Sequence, residues 1–253
     1  MVSDADVEVI GDKTYHVFKC SVAPKEMAST IYAQIVTSSG SGIRWSYSVK
    51  EYADYILDNA YAEDGTVKDE ALAEAVPVVR SMLWYGSCAQ RSFGEGAAFD
   101  AADPDEGSVP EIDTTVTYPE EAITSGDSKL SYYGSSLILR TQTVQRHYFK
   151  VDDDIDMFSF TIGGKEVTPV QHQDAPAYWY IDSAPLSAED LGTQLTVTAD
   201  PKNGGDGMTF LFCPMDHVKT VLGMSPAPAE TAVCRALYFY HKAVAAYAEL
   251  RRT

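Results

Sequence analysis

The chain has 253 residues, of which 45% are hydrophobic and 22% are charged, which is the composition of a globular protein rather than a disordered one. It carries 37 acidic residues against 19 lysines and arginines, so its formal net charge at pH 7 is -18. Such an acidic surface repels phosphate backbones and anionic membranes, and no apolar run is long enough to span a bilayer, so we expect neither nucleic-acid binding nor membrane insertion.

The first part of the chain, residues 1–93, is predicted to contain short strands followed by a helical hairpin. Segments rich in β-branched and aromatic residues predict strands at 7–10, 14–22, 30–37 and 43–47. Ser48 and Glu51 have the spacing of a capping box, and the apolar residues that follow fall on one helical stripe. A second helix is predicted over residues 77–93, with a proline at its first position, after an inserted turn at 60–68.

The remainder divides into a linker and a second half. Residues 94–128 are acidic, rich in Gly, Pro, Ser and Thr, and lack apolar periodicity, so we interpret them as a linker. Residues 129–253 form the second half, which has its most regular strands between 130 and 162 and ends in two predicted helices. We expect this half to be richer in strands than the first.

Short segments of the first half recur in the same order in the second half. The matches pair residues 10–13 with 162–165, 26–27 with 190–191, 42–47 with 207–212, and 79–85 with 234–240. An ordered internal repeat indicates a duplicated structural unit. The predicted fold is therefore α+β, with two duplicated halves, each a small antiparallel β-sheet followed by a helical hairpin.

The repeat also sorts the aromatic residues. Trp45, Tyr47, Trp84 and Tyr85 have aromatic partners at 210, 212, 239 and 240, so we expect all of them to pack in the core. The aromatic residues of the second-half strands that have no partner are the better candidates for a ligand-binding surface: Tyr132, Tyr133, Tyr148 and Phe149.

No motif in the sequence points to catalysis, a cofactor or a structural metal. The five histidines lack HExxH spacing, and neither a G-x-S-x-G nucleophile elbow nor a glycine-rich phosphate loop is present. The run from Asp152 to Asp156 begins like a calcium loop but lacks the glycine and the final glutamate, which favours a solvated acidic turn. The four cysteines form no CxxC pair, and sequence alone leaves their disulfide state open: Cys20, Cys88, Cys213 and Cys234.

Several runs resemble a known family. Residues 133–139, 146–150 and 161–167, together with the helix at 235–243, are similar to a recurrent domain of large extracellular and cell-wall proteins of gut Firmicutes. Some related surface proteins bind host immunoglobulin in the manner of a B-cell superantigen. The resemblance implies an extracellular, cell-surface location within a longer secreted protein, and it assigns no ligand residue.

These observations lead to three hypotheses about function. The leading one is a non-catalytic recognition module of a bacterial cell-surface protein, which binds a host or bacterial extracellular protein, with host immunoglobulin as one candidate. A carbohydrate-binding module is the main alternative, and it requires two or three coplanar aromatic rings on one exposed face. A structural spacer is the third hypothesis, and it predicts no large exposed apolar patch.

Overall fold

The computed structural model describes residues 6–18, 20–94, 99–104, 112–119, 129–224 and 228–252. Two hairpins and two helices come first along the chain. The antiparallel hairpins are β1 (Asp6–Ile10) with β2 (Lys13–Val17), and β3 (Ile31–Thr37) with β4 (Gly40–Tyr47). The helices are α1 (Val49–Ala60) and α2 (Glu70–Phe93). Within the described residues, neither hairpin pairs with a further strand.

The helix starts show how the local sequence determines these elements. The Ser48 hydroxyl accepts a hydrogen bond from the Glu51 backbone N–H (3.1 Å), and the Glu51 carboxylate accepts one from the Ser48 N–H (2.7 Å), so the predicted capping box is confirmed. The second helix starts at Glu70, because the carboxylate of Asp69 caps it by accepting a hydrogen bond from the Leu72 backbone N–H (3.1 Å). The start predicted at Pro77 is wrong, since this proline lies inside the helix.

Two four-stranded antiparallel sheets follow, and their inner faces share one core. The first has the order β5 (Leu130–Leu139), β6 (Thr143–Val151), β10 (Tyr178–Asp182), β9 (Val170–Gln171), and the second has the order β12 (Met208–Phe212), β11 (Leu195–Pro201), β7 (Phe158–Ile162), β8 (Lys165–Val167). Alternate residues of β6 and β12 are buried, as expected for strands with one face against a core. Phe149 of the first sheet contacts Phe160 of the second, with ring centroids 5.3 Å apart. The two sheets therefore pack as a small β-sandwich.

The helices form a second core beside the sandwich. Helices α3 (Pro214–Gly223) and α4 (Pro228–Arg252) follow β12, and α4 packs along α2. Trp84 contacts Phe239 (ring centroids 6.1 Å apart), and Tyr85 stacks on Tyr240 (5.9 Å). Gly86 faces Met27, and a Cβ added at this glycine would lie 2.5 Å from the Met27 sulfur and 3.2 Å from the Pro24 carbonyl oxygen, so a larger residue there requires the Met27 side chain to shift. In the described part of the chain, no helix combines the length and the apolar character needed to cross a membrane.

The prediction of two duplicated halves is wrong, although the class is mixed α+β. The described strands form four small antiparallel sheets, and in that part of the chain the two separate hairpins near the N-terminus have no counterpart of the four-stranded sheet β5-β6-β10-β9. The four helices do not form two independent hairpins, since α2 and α4 share one hydrophobic core. Short matches of this kind arise because amphipathic helices and half-buried strands use similar residue patterns wherever they occur.

The linker assignment for residues 94–128 stays a prediction. Its described segments, 99–104 and 112–119, contact the helices: the Ser87 hydroxyl donates to the Phe99 carbonyl (2.8 Å), and the Lys219 ammonium donates to the Thr115 carbonyl (2.9 Å). Residues 95–98, 105–111 and 120–128 lie outside the described residues. The described segments therefore lie against the helical core.

The sandwich core predicts a large difference between two neighbouring aromatic positions. We expect Phe149→Ala to lower the free energy of unfolding by about 3 to 5 kcal/mol, because it leaves a cavity between the sheets. Tyr133→Ala is the matched control, since this side chain is 68% exposed and its replacement should cost less than about 1 kcal/mol. Urea denaturation of both variants measures the difference, and similar losses for the two would contradict the sandwich arrangement.

Candidate functional site

The structure separates the four predicted ligand-binding aromatics. Phe149 is fully buried, and Tyr132 packs beside it (ring centroids 5.7 Å apart) and against Phe210 (4.9 Å). Strand alternation explains this, because residues 145, 147, 149 and 151 of β6 all face the core. The expectation that Phe149 lies on an accessible surface is therefore corrected: it is a core residue.

Tyr133 and Tyr148 lie on the outside of the same sheet, where each contacts another tyrosine. Tyr133 meets Tyr178 with ring centroids 4.6 Å apart and planes at 61°, and Tyr148 meets Tyr180 at 6.2 Å and 59°. These rings are tilted against each other, whereas a sugar-stacking platform requires coplanar rings. Neither contacting pair forms the coplanar platform that the carbohydrate hypothesis requires.

The β3–β4 hairpin presents an exposed apolar surface. The cross-strand pairs Ile31–Tyr47 and Ala33–Trp45 place four side chains on one face, and Ile43 continues that face along β4. Ile43 is 69% exposed, Trp45 is 50% exposed and Tyr47 is 47% exposed. We call these five residues the apolar hairpin face. No described sheet or helix covers it.

The prediction that Trp45 and Tyr47 belong to the core is therefore wrong. Their aligned partners, Phe210 and Phe212, are buried because β12 lies inside the sandwich, whereas β4 has no opposing sheet among the described residues. The aligned segments alone do not distinguish the two strands, because an opposing sheet is supplied by distant parts of the chain.

The hairpin is also nearly free of charge. Arg44 is the only charged residue between positions 28 and 47, and its guanidinium lies 3.7 Å from the ring centroid of Tyr32 on the opposite face of the hairpin. The whole chain, in contrast, has a net charge of -18. The apolar hairpin face is thus an uncharged patch on an acidic protein.

A second feature is a cavity of about 420 Å³ at one end of the sandwich. Its walls come from β5, β6, β12, one side of α3 and the segment 112–119. The Tyr118 backbone N–H donates to the buried Asp216 carboxylate (3.1 Å), which holds this segment against α3. Gln145 and His147 reach the cavity from β6, and His217 reaches it from α3. We call this space the α3 cavity.

Two buried polar atoms at the α3 cavity have no hydrogen-bond partner among the described residues, one on Gln145 and one on His147. Both residues are buried, and the two atoms are Gln145 Oε1 and His147 Nε2. The other imidazole nitrogen of His147, Nδ1, lies 3.3 Å from the Tyr132 hydroxyl. Buried polar atoms without partners are rare and lower the stability of the fold, so this wall of the cavity is a candidate binding surface. Sequence reasoning missed both residues, although they are the polar members of the inward-facing series of β6.

Burial also sets the charge of the cavity wall. Burial, with a smaller contribution from neighbouring His217, lowers the pKa of His147 from 6.5 to about 3. Burial likewise lowers the pKa of His217. Both imidazoles are therefore neutral at pH 7.

The cysteine in this wall is not activated. Burial raises the pKa of the Cys213 thiol, which donates a hydrogen bond to the Leu191 carbonyl (3.4 Å). Only the thiolate is a strong nucleophile, so this thiol is poorly suited to covalent chemistry. Within the described residues, no group of three or more His, Cys, Asp or Glu side chains is placed to hold a metal ion.

The acidic turn at residues 152–156 directs its carboxylates to separate partners. Asp153 pairs with Lys129 (2.6 Å), Asp152 pairs with Lys150 (3.0 Å), and Asp154 accepts the backbone N–H of Asp156 (3.0 Å). Nearby lysines thus neutralise part of the charge that would attract a cation.

Burial of the neutral His147 predicts a loss of stability in mild acid. In the unfolded chain the imidazole gains a proton near its ordinary pKa of 6.5, but in the folded protein it stays neutral until about pH 3. Between these values, falling pH therefore favours unfolding by about 1.4 kcal/mol per pH unit from this group. We expect His147→Phe to remove about 2 kcal/mol of the change between pH 6.5 and 5 in urea denaturation.

The control for this prediction is His16→Phe, which changes an exposed histidine of β2 and should leave the pH dependence as it is. His217 and His241, whose pKa values burial also lowers, stay in both variants and cancel in the comparison. Parallel pH curves for the wild type and His147→Phe would contradict a buried neutral histidine.

Comparisons with protein-family models, curated proteins and solved structures gave no significant match. The resemblance to surface proteins of gut Firmicutes therefore stays an expectation from the sequence. The apolar hairpin face and the α3 cavity are the features of this chain that bear on its function.

Proposed function

We propose that this protein is a non-catalytic recognition module of a bacterial cell-surface protein, and that it binds another protein through the apolar hairpin face. The observation that carries this proposal is the exposure of Ile43, Trp45 and Tyr47 on one side of a hairpin that no described element covers. Cell-surface location rests on the family resemblance alone.

The physical argument starts from the marginal stability of a two-stranded hairpin in water. The apolar hairpin face keeps three β-branched or aromatic side chains largely in solvent, and burying them releases the hydrophobic free energy that the fold itself does not use. Tryptophan, tyrosine and arginine dominate the binding energy of protein interfaces, and this hairpin contains all three. The free edges of β3 and β4 add backbone groups that can pair with a partner strand.

The surroundings of the face favour a protein partner over a glycan. A sugar requires hydrogen-bonding side chains around a stacking ring, but the neighbours of Trp45 on its face are Ala33, Ile43 and Tyr47. A second copy of this chain is disfavoured as the partner, because association would bring together two molecules that each carry a net charge of -18. The partner that fits is a protein with an apolar patch bordered by basic residues.

Host immunoglobulin is the first partner to test, since relatives implied by the sequence resemblance bind it. The carbohydrate alternative is weakened by the tilted Tyr133–Tyr178 and Tyr148–Tyr180 pairs. The spacer alternative is weakened by the apolar hairpin face, because a module that binds nothing has no use for such a patch.

The proposal predicts that hairpin substitutions abolish binding without unfolding the protein. The purified chain is screened by biolayer interferometry against native and enzymatically deglycosylated immunoglobulins, and on a glycan array. We expect immunoglobulin binding that survives deglycosylation, and a loss of about 30-fold in affinity for Trp45→Ala. Ile43→Asp should also remove binding, because it places a charge in the apolar interface.

Val9→Asp is the matched control. Val9 is 69% exposed, the same fraction as Ile43, but it lies on the β1–β2 hairpin, so its replacement should leave affinity unchanged. Equal binding by Ile43→Asp and the wild type would overturn the assignment of the face. Binding of oligosaccharides without immunoglobulin would favour the carbohydrate alternative instead.

A further inference from the structure

We propose that the α3 cavity is a binding site for a small neutral aromatic molecule that carries an amide-like pair of one hydrogen-bond donor and one acceptor. The site is separate from the apolar hairpin face, since its walls come from the sandwich, α3 and segment 112–119. Three properties of the cavity support this inference: its size and lining, its unpaired polar atoms, and its charge.

The size and lining suit a small ring. Small-molecule sites in proteins have volumes of roughly 300 to 1,000 Å³ and are mostly apolar, and the α3 cavity holds about 420 Å³. Phe210 and Phe212 contribute aromatic surface, and the Phe212 ring meets the His147 ring edge-to-face with centroids 4.4 Å apart. An aromatic ligand would extend this cluster of rings.

The unpaired polar atoms define the hydrogen bonds that a ligand must supply. Gln145 and His147 are two residues apart on β6, so their side chains leave the strand on the same face. The strand is fixed at this point, because the Gln145 N–H donates to the Ser183 hydroxyl (3.0 Å) and the Ser183 N–H donates to the Gln145 carbonyl (2.9 Å). Because Gln145 Oε1 and His147 Nε2 have almost no accessible surface, a ligand amide that donates its N–H to Gln145 Oε1 must first turn this side chain toward the cavity. The N–H or C=O of the ligand can meet His147 Nε2 in either tautomer.

The charge of the cavity selects a neutral ligand. Among the described lining residues there is no lysine or arginine, so a carboxylate ligand would find no counter-charge. The lining carboxylate, Asp216, already accepts the Tyr118 N–H and is 5% exposed. The groups left without partners are a neutral amide and a neutral imidazole, which match an uncharged ligand.

An isosteric series of probes tests this inference: benzamide is neutral, benzoate is an anion and benzamidine is a cation. Binding to the full chain is followed by two-dimensional amide NMR and by thermal unfolding. We expect benzamide to bind with a dissociation constant on the order of 1 mM, to raise the melting temperature and to shift the signals of Ser135 and Thr220 in the cavity wall. Benzoate and benzamidine should bind at least tenfold more weakly.

Gln145→Leu is the informative variant. It removes the amide but keeps the backbone hydrogen bonds to Ser183, so we expect about tenfold weaker benzamide binding together with an unchanged or raised melting temperature. Gln171→Leu, an exposed glutamine of β9, is the matched control and should bind benzamide as the wild type does. Should Gln145→Leu fail to fold, His147→Phe supplies the same test at the second unpaired atom.

Three results would overturn the inference. Benzamide binding that is equal in the wild type and Gln145→Leu would exclude these hydrogen bonds, and tighter binding of benzamidine would exclude a neutral ligand. No binding of any probe up to about 10 mM would mean that the space holds only water. Ile43→Asp should bind benzamide normally, so the outcome is independent of the proposed protein recognition.

Discussion

The packing of α2 on α4 is the contact on which the arrangement of this molecule depends. The stacked pair Tyr85–Tyr240 and the pair Trp84–Phe239 connect α2 with α4. Helix α1 packs on α2, and the 3-10 turn Pro24–Glu26, which precedes β3, packs on α2 near Gly86. The β3–β4 hairpin leads directly into α1 at Ser48, so the packing of α1 on α2 fixes the base of the hairpin. The side chains of Ile43, Trp45 and Tyr47 remain exposed. The helical core thus displays the hairpin rather than burying it.

Strand β6 connects the stable core of the sandwich with the α3 cavity. Its inward positions change along the strand from apolar Phe149 and Val151 to polar Gln145 and His147. Each buried polar atom without a partner costs about 1 to 3 kcal/mol, and the fully packed rings of Phe149 and Phe160 offset that cost. Buried polar atoms without partners are expected where they serve function rather than stability. The destabilising polar residues at this end of β6 are therefore the reason to regard it as a candidate site.

Local signals in the sequence predicted much of the fold, and long-range pairing was the part they missed. The capping box at Ser48 and the alternating burial of β6 depend only on residues close together in the sequence, so both can be predicted from it. The predicted start of α2 at Pro77 is wrong because the helix is capped by Asp69, which lies upstream of the apolar residues used for the prediction. Whether a half-buried strand packs against an opposing sheet depends on distant segments. The short repeat carries no information on those segments, so it wrongly assigned Trp45 to the core. The cavity was missed for the same reason, since its walls come from four separated parts of the chain.

The two candidate sites are both uncharged regions of a strongly acidic protein, and this contrast determines what can reach them. A net charge of -18 repels anionic molecules at distances up to about a Debye length, roughly 8 to 10 Å in physiological salt. At close range, the described residues of the apolar hairpin face and the α3 cavity offer no buried positive charge to compensate an anion. A partner of either proposed site would therefore be selected twice: the acidic surface repels anions before contact, and an uncharged site favours groups that lose little solvation when buried. A protein with an apolar patch meets both conditions at the hairpin, as a neutral aromatic amide does in the cavity.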